Sequence, residues 1–189
     1  ADLVDHLPPS YRLVDRYRGH YVIAKLGIRI GFVASAFGCP YSCVFCSIGG
    51  QTGGRYLTRS PEAVVRDIGL LQDIPVIRLV DANTFGSVER ATALAHAIKA
   101  AGLNKQFLAD IRSDTVVRHP EMVQLWKEAG LRAVIIGFEA IDDISLTSMH
   151  KANQARTNTE AIALLHELGI TIVGDFIVHP DYGEDDFER

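Results

Sequence analysis

Residues 120–139 read PEMVQLWKEAGLRAVIIGFE and contain one complete helix-to-strand unit. Pro120 suits the first position of a helix, which we expect to continue to Ala129. Gly130 can adopt the left-handed conformation that ends a helix, and the apolar run Ala133–Glu139 is typical of a buried strand. Two further joints have the same pattern: Ala101-Gly102-Leu103 and Leu168-Gly169-Ile170.

Apolar segments of strand length alternate with helical patterns through the middle of the chain. The five predicted strands are Ile28–Ser35, Val76–Ala82, Gln106–Arg112, Ala133–Glu139 and Thr171–Val178. This alternation predicts a parallel sheet covered by helices, in a wound sheet or a barrel. Five strands cannot close an eight-stranded barrel.

Three sequence patterns mark where the intervening helices begin. Ser60 is followed by Pro61 and Ser87 precedes another helical pattern, so both serines are predicted N-caps. Thr157-x-x-Glu160 matches a capping box before the helix that ends at Gly169.

The length predicts one domain, and the composition argues against several classes of protein. The chain has 189 residues, 48% of them apolar, and no run of 18 apolar residues that would predict a membrane span. A net charge of −4 without a basic block makes nucleic acid a poor partner. Free thiols without a secretory leader favour a reducing, cytoplasmic location.

All three cysteines of the chain lie in one loop, Cys39-Pro-Tyr-Ser-Cys43-Val-Phe-Cys46. Three thiolates at this spacing can each bind one iron of a [4Fe–4S] cluster. The fourth iron would then have no protein ligand and could bind and activate a small molecule. The spacing therefore favours catalysis over electron storage alone.

The same three cysteines could instead form a disulfide or bind a structural zinc ion. A disulfide framework would normally use an even number of cysteines in an oxidising compartment. A structural zinc would need a fourth ligand, and zinc sites usually combine two ligands with two more at a distance. The fourth zinc ligand could in principle be His20, His96 or His119.

The pattern Cys39-x-x-x-Cys43-x-Phe-Cys46 resembles the signature of radical S-adenosylmethionine (SAM) enzymes. The resemblance implies a [4Fe–4S] cluster held by the three cysteines, with SAM chelated at the open iron. It also implies reductive cleavage of SAM to a 5′-deoxyadenosyl radical that acts on a small-molecule substrate. The electron would come from a donor such as flavodoxin or ferredoxin.

The same resemblance refines the fold prediction. Radical SAM enzymes generally have a partial TIM-type barrel of six parallel βα units, and five are visible here. We therefore expect an α/β chain in which residues 26–189 form the radical SAM core domain, truncated at its C-terminal end. A fifth strand at the sheet edge would then lack its neighbour.

The resemblance also assigns SAM contacts to the carboxyl ends of the strands, where parallel barrels keep their chemistry. Asp81 and Asn83 would bind the methionyl amino group. Arg112 and Ser113 would lie near the methionyl carboxylate, for which arginine has suitable geometry. The structural alternatives are a helix-capping turn for Asp81 and Asn83 and a surface salt bridge for Arg112.

Three more positions complete the predicted site. Glu139 would accept hydrogen bonds from the ribose hydroxyls, and Phe45 would contact the adenine. Their alternatives are a structural carboxylate and a core phenylalanine. His179 departs from the family pattern and either approaches substrate or bonds a neighbouring carbonyl, the second being favoured.

The segment before the first predicted strand suggests a subgroup. Residues 1–25 contain Leu7-Pro8-Pro9 and several tyrosines, which predicts a linker packed on the barrel. This segment resembles the one that follows a cobalamin-binding domain in cobalamin-dependent radical SAM enzymes. The resemblance implies cobalamin, held by a domain outside these residues, and methyl transfer to an unactivated centre. The alternatives are a radical SAM oxidase or cyclase without cobalamin, and a zinc-stabilised binding module.

Overall fold

The computed structural model describes residues 2–3, 5–23 and 27–187. The predicted boundary between the linker and the core, at residues 25 and 26, lies outside the described residues. Among the described residues, no helix has the length and apolar composition needed to cross a bilayer.

Nine strands and eight α-helices make up the described part of the chain. The strands are β1 (Asp2–Leu3), β2 (Val22–Ile23), β3 (Ile28–Val33), β4 (Ala36–Phe37), β5 (Leu57–Thr58), β6 (Val76–Leu79), β7 (Gln106–Ile111), β8 (Leu131–Glu139) and β9 (Thr171–Phe176). The helices are α1 (Ile48–Thr52), α2 (Pro61–Gly69), α3 (Val88–Ala100), α4 (Ser113–Arg118), α5 (Pro120–Ala129), α6 (Asp143–Ser148), α7 (Ala155–Glu167) and α8 (Glu184–Phe187). A 3₁₀ helix spans Tyr11–His20.

The main sheet has the order β2-β3-β6-β7-β8-β9. Five of its strands, β3, β6, β7, β8 and β9, run parallel to one another. The short strand β2 pairs antiparallel with β3 at the edge. The sheet curls into a half-barrel, so the predicted partial TIM-type barrel with five parallel strands is confirmed. A second small sheet, β1-β5-β4, lies beside the cysteine loop.

An aromatic cluster fixes the packing of the helices on the sheet. The Trp126 ring is fully buried, with its centre 5.4 Å from that of Phe85 and 6.0 Å from that of Phe107. Its indole nitrogen donates a 3.0 Å hydrogen bond to the carbonyl of Ala91. Because a buried indole N–H needs an acceptor, this bond sets the position of α5 against α3.

Two of the three predicted helix starts are confirmed. The hydroxyl of Ser60 accepts a hydrogen bond from Ala63 N, and that of Ser87 accepts one from Arg90 N. The prediction of a capping box at Thr157 is wrong, because α7 already begins at Ala155. Ala155 N donates instead to the carboxylate of Asp143, 2.7 Å away, a partner from α6 that local sequence does not indicate.

One edge of the main sheet contacts the 3₁₀ helix, whereas the other edge is open among the described residues. At the first edge, Tyr11 of the 3₁₀ helix donates to the carbonyl of Phe32 at 3.1 Å. At the other edge, β9 has no strand on its outer side among the described residues, and Val173 and Phe176 are about half exposed. The sixth βα unit remains a prediction.

Candidate active site at the cysteine loop

The cysteine loop lies over the carboxyl ends of the central strands. Cys39 and Cys43 are partly buried, Cys46 is exposed, and all three are free thiols. Asn83 Nδ2, after β6, lies 3.8 Å from Cys39 Sγ. Arg112 Nη1, after β7, lies 4.0 Å from Cys43 Sγ. The loop is therefore in contact with the ends of two neighbouring strands.

One pocket brings the three cysteines together with four of the six predicted SAM contacts. It is lined by Cys39, Cys43, Cys46, Phe45, Asn83, Arg112 and Glu139. Other polar side chains on its wall are Lys151, Asp110 and Asp175. The predicted residues that are absent from this wall are Asp81 and Ser113.

The donor set fits an iron–sulfur cluster. Within the described ranges, no three His, Cys, Asp or Glu residues converge closely enough to hold a single metal ion. A four-iron cluster does not require such convergence, because each thiolate binds a different iron. The three unpaired thiols at the mouth of one pocket suit that group. They give no support to the disulfide or to a preformed zinc site.

Asp81 faces the start of the cysteine loop and not the pocket. Its Oδ1 accepts from Ser35 N at 2.7 Å and from Ala36 N at 2.9 Å, and its Oδ2 accepts from Ser35 Oγ at 2.5 Å. Burial raises the pKa of this carboxyl, against the opposing effect of these donors. The contacts describe a residue that fixes the chain just before the loop, so its predicted contact with SAM stays a prediction.

Arg112 is held by several partners at once. Its guanidinium carbon lies 3.7 Å from the centre of the Tyr41 ring, and Nε donates to Asp114 Oδ1 at 2.8 Å. Nη2 donates to the carbonyl of Lys151 at 2.6 Å and to that of Ala152 at 3.4 Å. The side chain therefore joins the cysteine loop, α4 and the segment after α6.

Ser113 belongs to a buried polar network behind the pocket. Its hydroxyl donates to Asn158 Oδ1 at 2.6 Å and accepts from Asn153 Nδ2 at 2.8 Å. Asn153 also donates to Asn158 Oδ1, at 2.7 Å. The network joins α4 to α7, and the predicted contact of Ser113 with the carboxylate stays untested.

Glu139 ends β8 in a backbone conformation that only a constrained residue adopts. Its φ is +67°, in the left-handed region that non-glycine residues rarely occupy. Its Oε1 accepts from Lys151 Nζ at 2.8 Å, and both side chains are buried. A Cβ on Gly137 would overlap Glu139 Oε1 and come within 3.2 Å of Lys151 Nζ. The glycine at position 137 thus leaves the space that this ion pair fills.

A second ion pair lies on the inner face of the sheet. Arg78 Nη2 of β6 is 2.7 Å from Asp110 Oδ2 of β7. Burial is the main cause that raises the pKa of Asp110, and the nearby charges of Asp81 and Asp175 act in the same direction. Asp110 and Asp175 belong to the polar residues near strand ends, which is a signal that the sequence carries. Lys151 has no such signal, because it lies in a polar connection between two helices.

His179 lies outside this pocket. Its Nδ1 accepts from Asp181 N at 3.3 Å and lies 3.4 Å from Asp181 Oδ2, and both side chains are exposed. The side chain therefore makes a local bond, as favoured from the sequence, but its partner is an amide N–H and not the predicted carbonyl.

The profile of the radical SAM superfamily matches residues 33–189, which include the cysteine loop, the last residue of β3 and the four parallel strands β6, β7, β8 and β9. The chain belongs to the radical SAM superfamily. Members of this superfamily use a [4Fe–4S] cluster and SAM. The sequence resemblance that predicted the family is thereby confirmed.

Several curated proteins are similar to nearly the whole chain. The hopanoid C-3 methylase of Methylococcus capsulatus is 31% identical over 99% of this chain and 36% of its own length. The anaerobic magnesium-protoporphyrin IX monomethyl ester cyclase of Cereibacter sphaeroides is 28% identical over 94% of this chain and 29% of its own length. The chain thus spans about a third of the length of these relatives.

Solved radical SAM structures share the fold. The cobalamin-dependent SAM radical enzyme OxsB, with aqua-cobalamin and SAM bound, superposes with a TM-score of 0.72 at 20% identity, covering 83% of this chain and 25% of that one. The methyltransferase TsrM from Kitasatospora setae, with cobalamin and a [4Fe–4S] cluster bound, superposes with a TM-score of 0.68 at 19% identity, covering 79% and 31%. At this identity the likeness establishes the fold.

Proposed function

We propose that this chain is the catalytic core of a cobalamin-assisted radical SAM methyltransferase that acts on an unactivated centre of a small molecule. The observation that carries the proposal is one pocket lined by three free cysteines, Asn83, Arg112 and Glu139. The methylase names among the relatives and the cobalamin-bound structural neighbours favour the methyl-transfer branch. The core extends in this proposal over residues 26–189, with a sixth βα unit beyond them and residues 1–25 as the linker from a cobalamin domain.

In this proposal Cys39, Cys43 and Cys46 hold the [4Fe–4S] cluster. When bound and reduced, the cluster would supply the electron for reductive cleavage of SAM to methionine and a 5′-deoxyadenosyl radical. Asn83, whose Nδ2 lies 3.8 Å from Cys39 Sγ, would bind the methionyl amino group beside the cluster. Glu139 would accept hydrogen bonds from the ribose hydroxyls, and Phe45, about half exposed on the loop, would cover the adenine.

Two predicted residues take a supporting role in the proposal. Asp81 fixes Ser35 and Ala36, so that the chain enters the cysteine loop in one conformation. Ser113 fixes α4 against α7 through Asn158. The electron donor in this proposal is a reduced protein such as flavodoxin or ferredoxin. The proposed location is a reducing cytoplasm, which keeps free thiols reduced.

The proposal is tested on the full-length parent protein, purified and reconstituted without oxygen. We expect the reduced cluster spectrum to change on addition of SAM, and 5′-deoxyadenosine to form when a strong reductant is present. Addition of cobalamin should then permit methyl transfer from labelled SAM. A protein with a full cluster whose spectrum ignores SAM would contradict the radical SAM function. If 5′-deoxyadenosine forms but the protein binds no cobalamin and yields no methylated product, the methyltransferase function is contradicted and the radical SAM function stands.

A radical SAM cyclase is the second candidate. It is favoured by the cyclase relatives, which match nearly the same residues at 25–28% identity. The two candidates differ in the fate of the methyl group: a cyclase leaves it on methionine, and a methylase moves it to the product. Labelled SAM methyl recovered wholly in methionine would favour the cyclase.

A further inference from the structure

Side-chain N–H groups from two strand ends approach two of the three cysteine sulfurs. Asn83 Nδ2, after β6, lies 3.8 Å from Cys39 Sγ. Arg112 Nη1, after β7, lies 4.0 Å from Cys43 Sγ, and Cys46 is exposed. A thiolate accepts hydrogen bonds, and such bonds are among the factors that set the potential of an iron–sulfur cluster. The surroundings of the cysteine loop therefore bear on the electron affinity of a cluster held there.

Asn83 gives the more direct of the two contacts. The residue is only 1% exposed, and its amide presents the nitrogen to the sulfur, while Oδ1 has no hydrogen-bond partner among the described residues. The opposite orientation would place an oxygen lone pair against a thiolate, which has no donor to offer. Arg112 lies farther from its sulfur and is also bonded to Asp114, so replacing it would disturb the cysteine loop itself.

The turn that carries Asn83 is packed against the cysteine loop. Tyr56 Oη donates to the main-chain carbonyl of Asn83 at 2.9 Å, and Gly86 N donates to the same carbonyl at 3.3 Å. A Cβ on Gly86 would lie 2.7 Å from the Tyr56 ring and 3.1 Å from Pro40, the neighbour of Cys39. This close packing leaves little room for the turn to shift, so the amide is held beside the sulfur.

We propose that Asn83 sets the reduction potential of the cluster by donating a hydrogen bond to the thiolate of Cys39. The inference rests on the proposed function, which places the cluster on the three cysteines. Reduction adds one electron from the donor protein and makes the cluster with its thiolates more negative by one charge. An N–H dipole directed at a thiolate stabilises the more negative state. The bond therefore makes the cluster easier to reduce.

The first test is a redox titration of the full-length protein, reconstituted without oxygen, kept free of SAM and followed by electron paramagnetic resonance. Asn83→Leu removes the donor and keeps a side chain of similar size. It should lower the equilibrium constant for one-electron reduction by about three- to tenfold, and tenfold corresponds to about 59 mV. Asn83→Ala also removes the donor without overpacking the site, and it should shift the constant in the same direction.

The second test detects the contact in the wild-type protein, so it does not depend on how a variant folds. The protein is labelled with ¹⁵N in the side-chain amide of asparagine, and the reduced cluster is studied by pulsed electron paramagnetic resonance. We expect a hyperfine coupling to one amide nitrogen, and the same coupling should be absent in whichever Asn83 variant retains the cluster.

A matched control is Asn104→Leu, at an exposed asparagine before β7, at the end of that strand remote from the cysteine loop. It should leave the constant unchanged. A constant that is unchanged or raised in the Asn83 variants at full iron content would overturn the role of Asn83. A labelled wild-type protein without the nitrogen coupling would overturn it as well. Failure of the wild-type protein to assemble a cluster would instead overturn the proposed function.

Discussion

The guanidinium carbon of Arg112 lies 3.7 Å from the centre of the Tyr41 ring, and this stacking joins the end of β7 to the cysteine loop. Tyr41 stands between Cys39 and Cys43, so its position influences where both thiolates lie. The Tyr41 hydroxyl also donates to Asp114 Oδ2 at 3.2 Å, and Asp114 bonds Arg112 in turn. The three side chains form one closed set of contacts that orients the loop.

Arg112→Lys should weaken this set, because an ammonium cannot stack on Tyr41 and bond Asp114 and two carbonyls together. We expect a loss of about 1.5–3 kcal/mol in the free energy of unfolding, measured by urea denaturation. Arg156→Lys, in an exposed pair with Glu160, is the matched control and should change stability by less than about 0.5 kcal/mol. Equal stability of Arg112→Lys and the control would show that the contacts around Arg112 contribute little.

The three cysteines should be equivalent in cluster binding. Wild-type protein reconstituted without oxygen should hold about four irons and four sulfides per chain. Replacing Cys39, Cys43 or Cys46 singly by alanine should remove the SAM-responsive spectrum, because each thiolate holds a different iron. Val44→Ala, an exposed change in the same loop, is the control and should retain the cluster. A triple cysteine variant with a normal cluster would refute the ligand assignment.

Gly137→Ala should disturb the pair of Glu139 and Lys151 although it changes neither residue. The added Cβ would occupy the position of Glu139 Oε1, so the carboxylate would have to move. We expect a stability loss of about 1–3 kcal/mol from this overpacking, together with weaker SAM binding. Gly69→Ala is the control, since nothing lies within 4 Å of a Cβ there and alanine favours the helix. If Gly137→Ala changes neither stability nor SAM binding, the side chains of Glu139 and Lys151 can move aside without cost.

Asp81→Asn should destabilise the entry to the cysteine loop. An amide has one acceptor oxygen where the carboxylate has two, so some of the donors from Ser35 and Ala36 lose their partner. The expected cost is about 1–3 kcal/mol, with lower iron incorporation. Asp15→Asn, an exposed position in the 3₁₀ helix, serves as the control. Unchanged stability and iron content would contradict the supporting role of Asp81.

The pH dependence of the same variant has a defined sign. Burial raises the pKa of Asp81 above its ordinary value of 3.8. Between that value and the raised pKa, the folded protein keeps the proton that the unfolded chain releases, so wild-type stability falls as pH rises. Asp81→Asn does not titrate, and the difference in unfolding free energy between the two proteins should therefore narrow as pH rises through this interval. A widening difference would show that the hydrogen bonds lower the pKa instead.

Local sequence was enough to predict the five parallel strands and the cysteine loop. The spacing of apolar residues and the glycine at each helix end located all five parallel strands, because those signals act within a few residues of one another. The cysteine spacing identified the family for the same reason. Serine caps at Ser60 and Ser87 were readable, whereas the start of α7 was not, since its cap comes from Asp143, twelve residues away.

Only the tertiary structure decided which polar strand ends face the pocket. Asn83 and Glu139 line it, while Asp81 and Ser113 turn to Ser35 and Asn158, partners on other elements. Lys151 carried no signal in the sequence, because its place beside Glu139 depends on left-handed backbone at its neighbours and on a bond from Arg112. The sequence determined the chemistry that the cysteine loop offers, through residues adjacent in the chain. The composition of the candidate SAM pocket depended on contacts between distant elements, where each buried polar group takes the partner that the fold brings within reach.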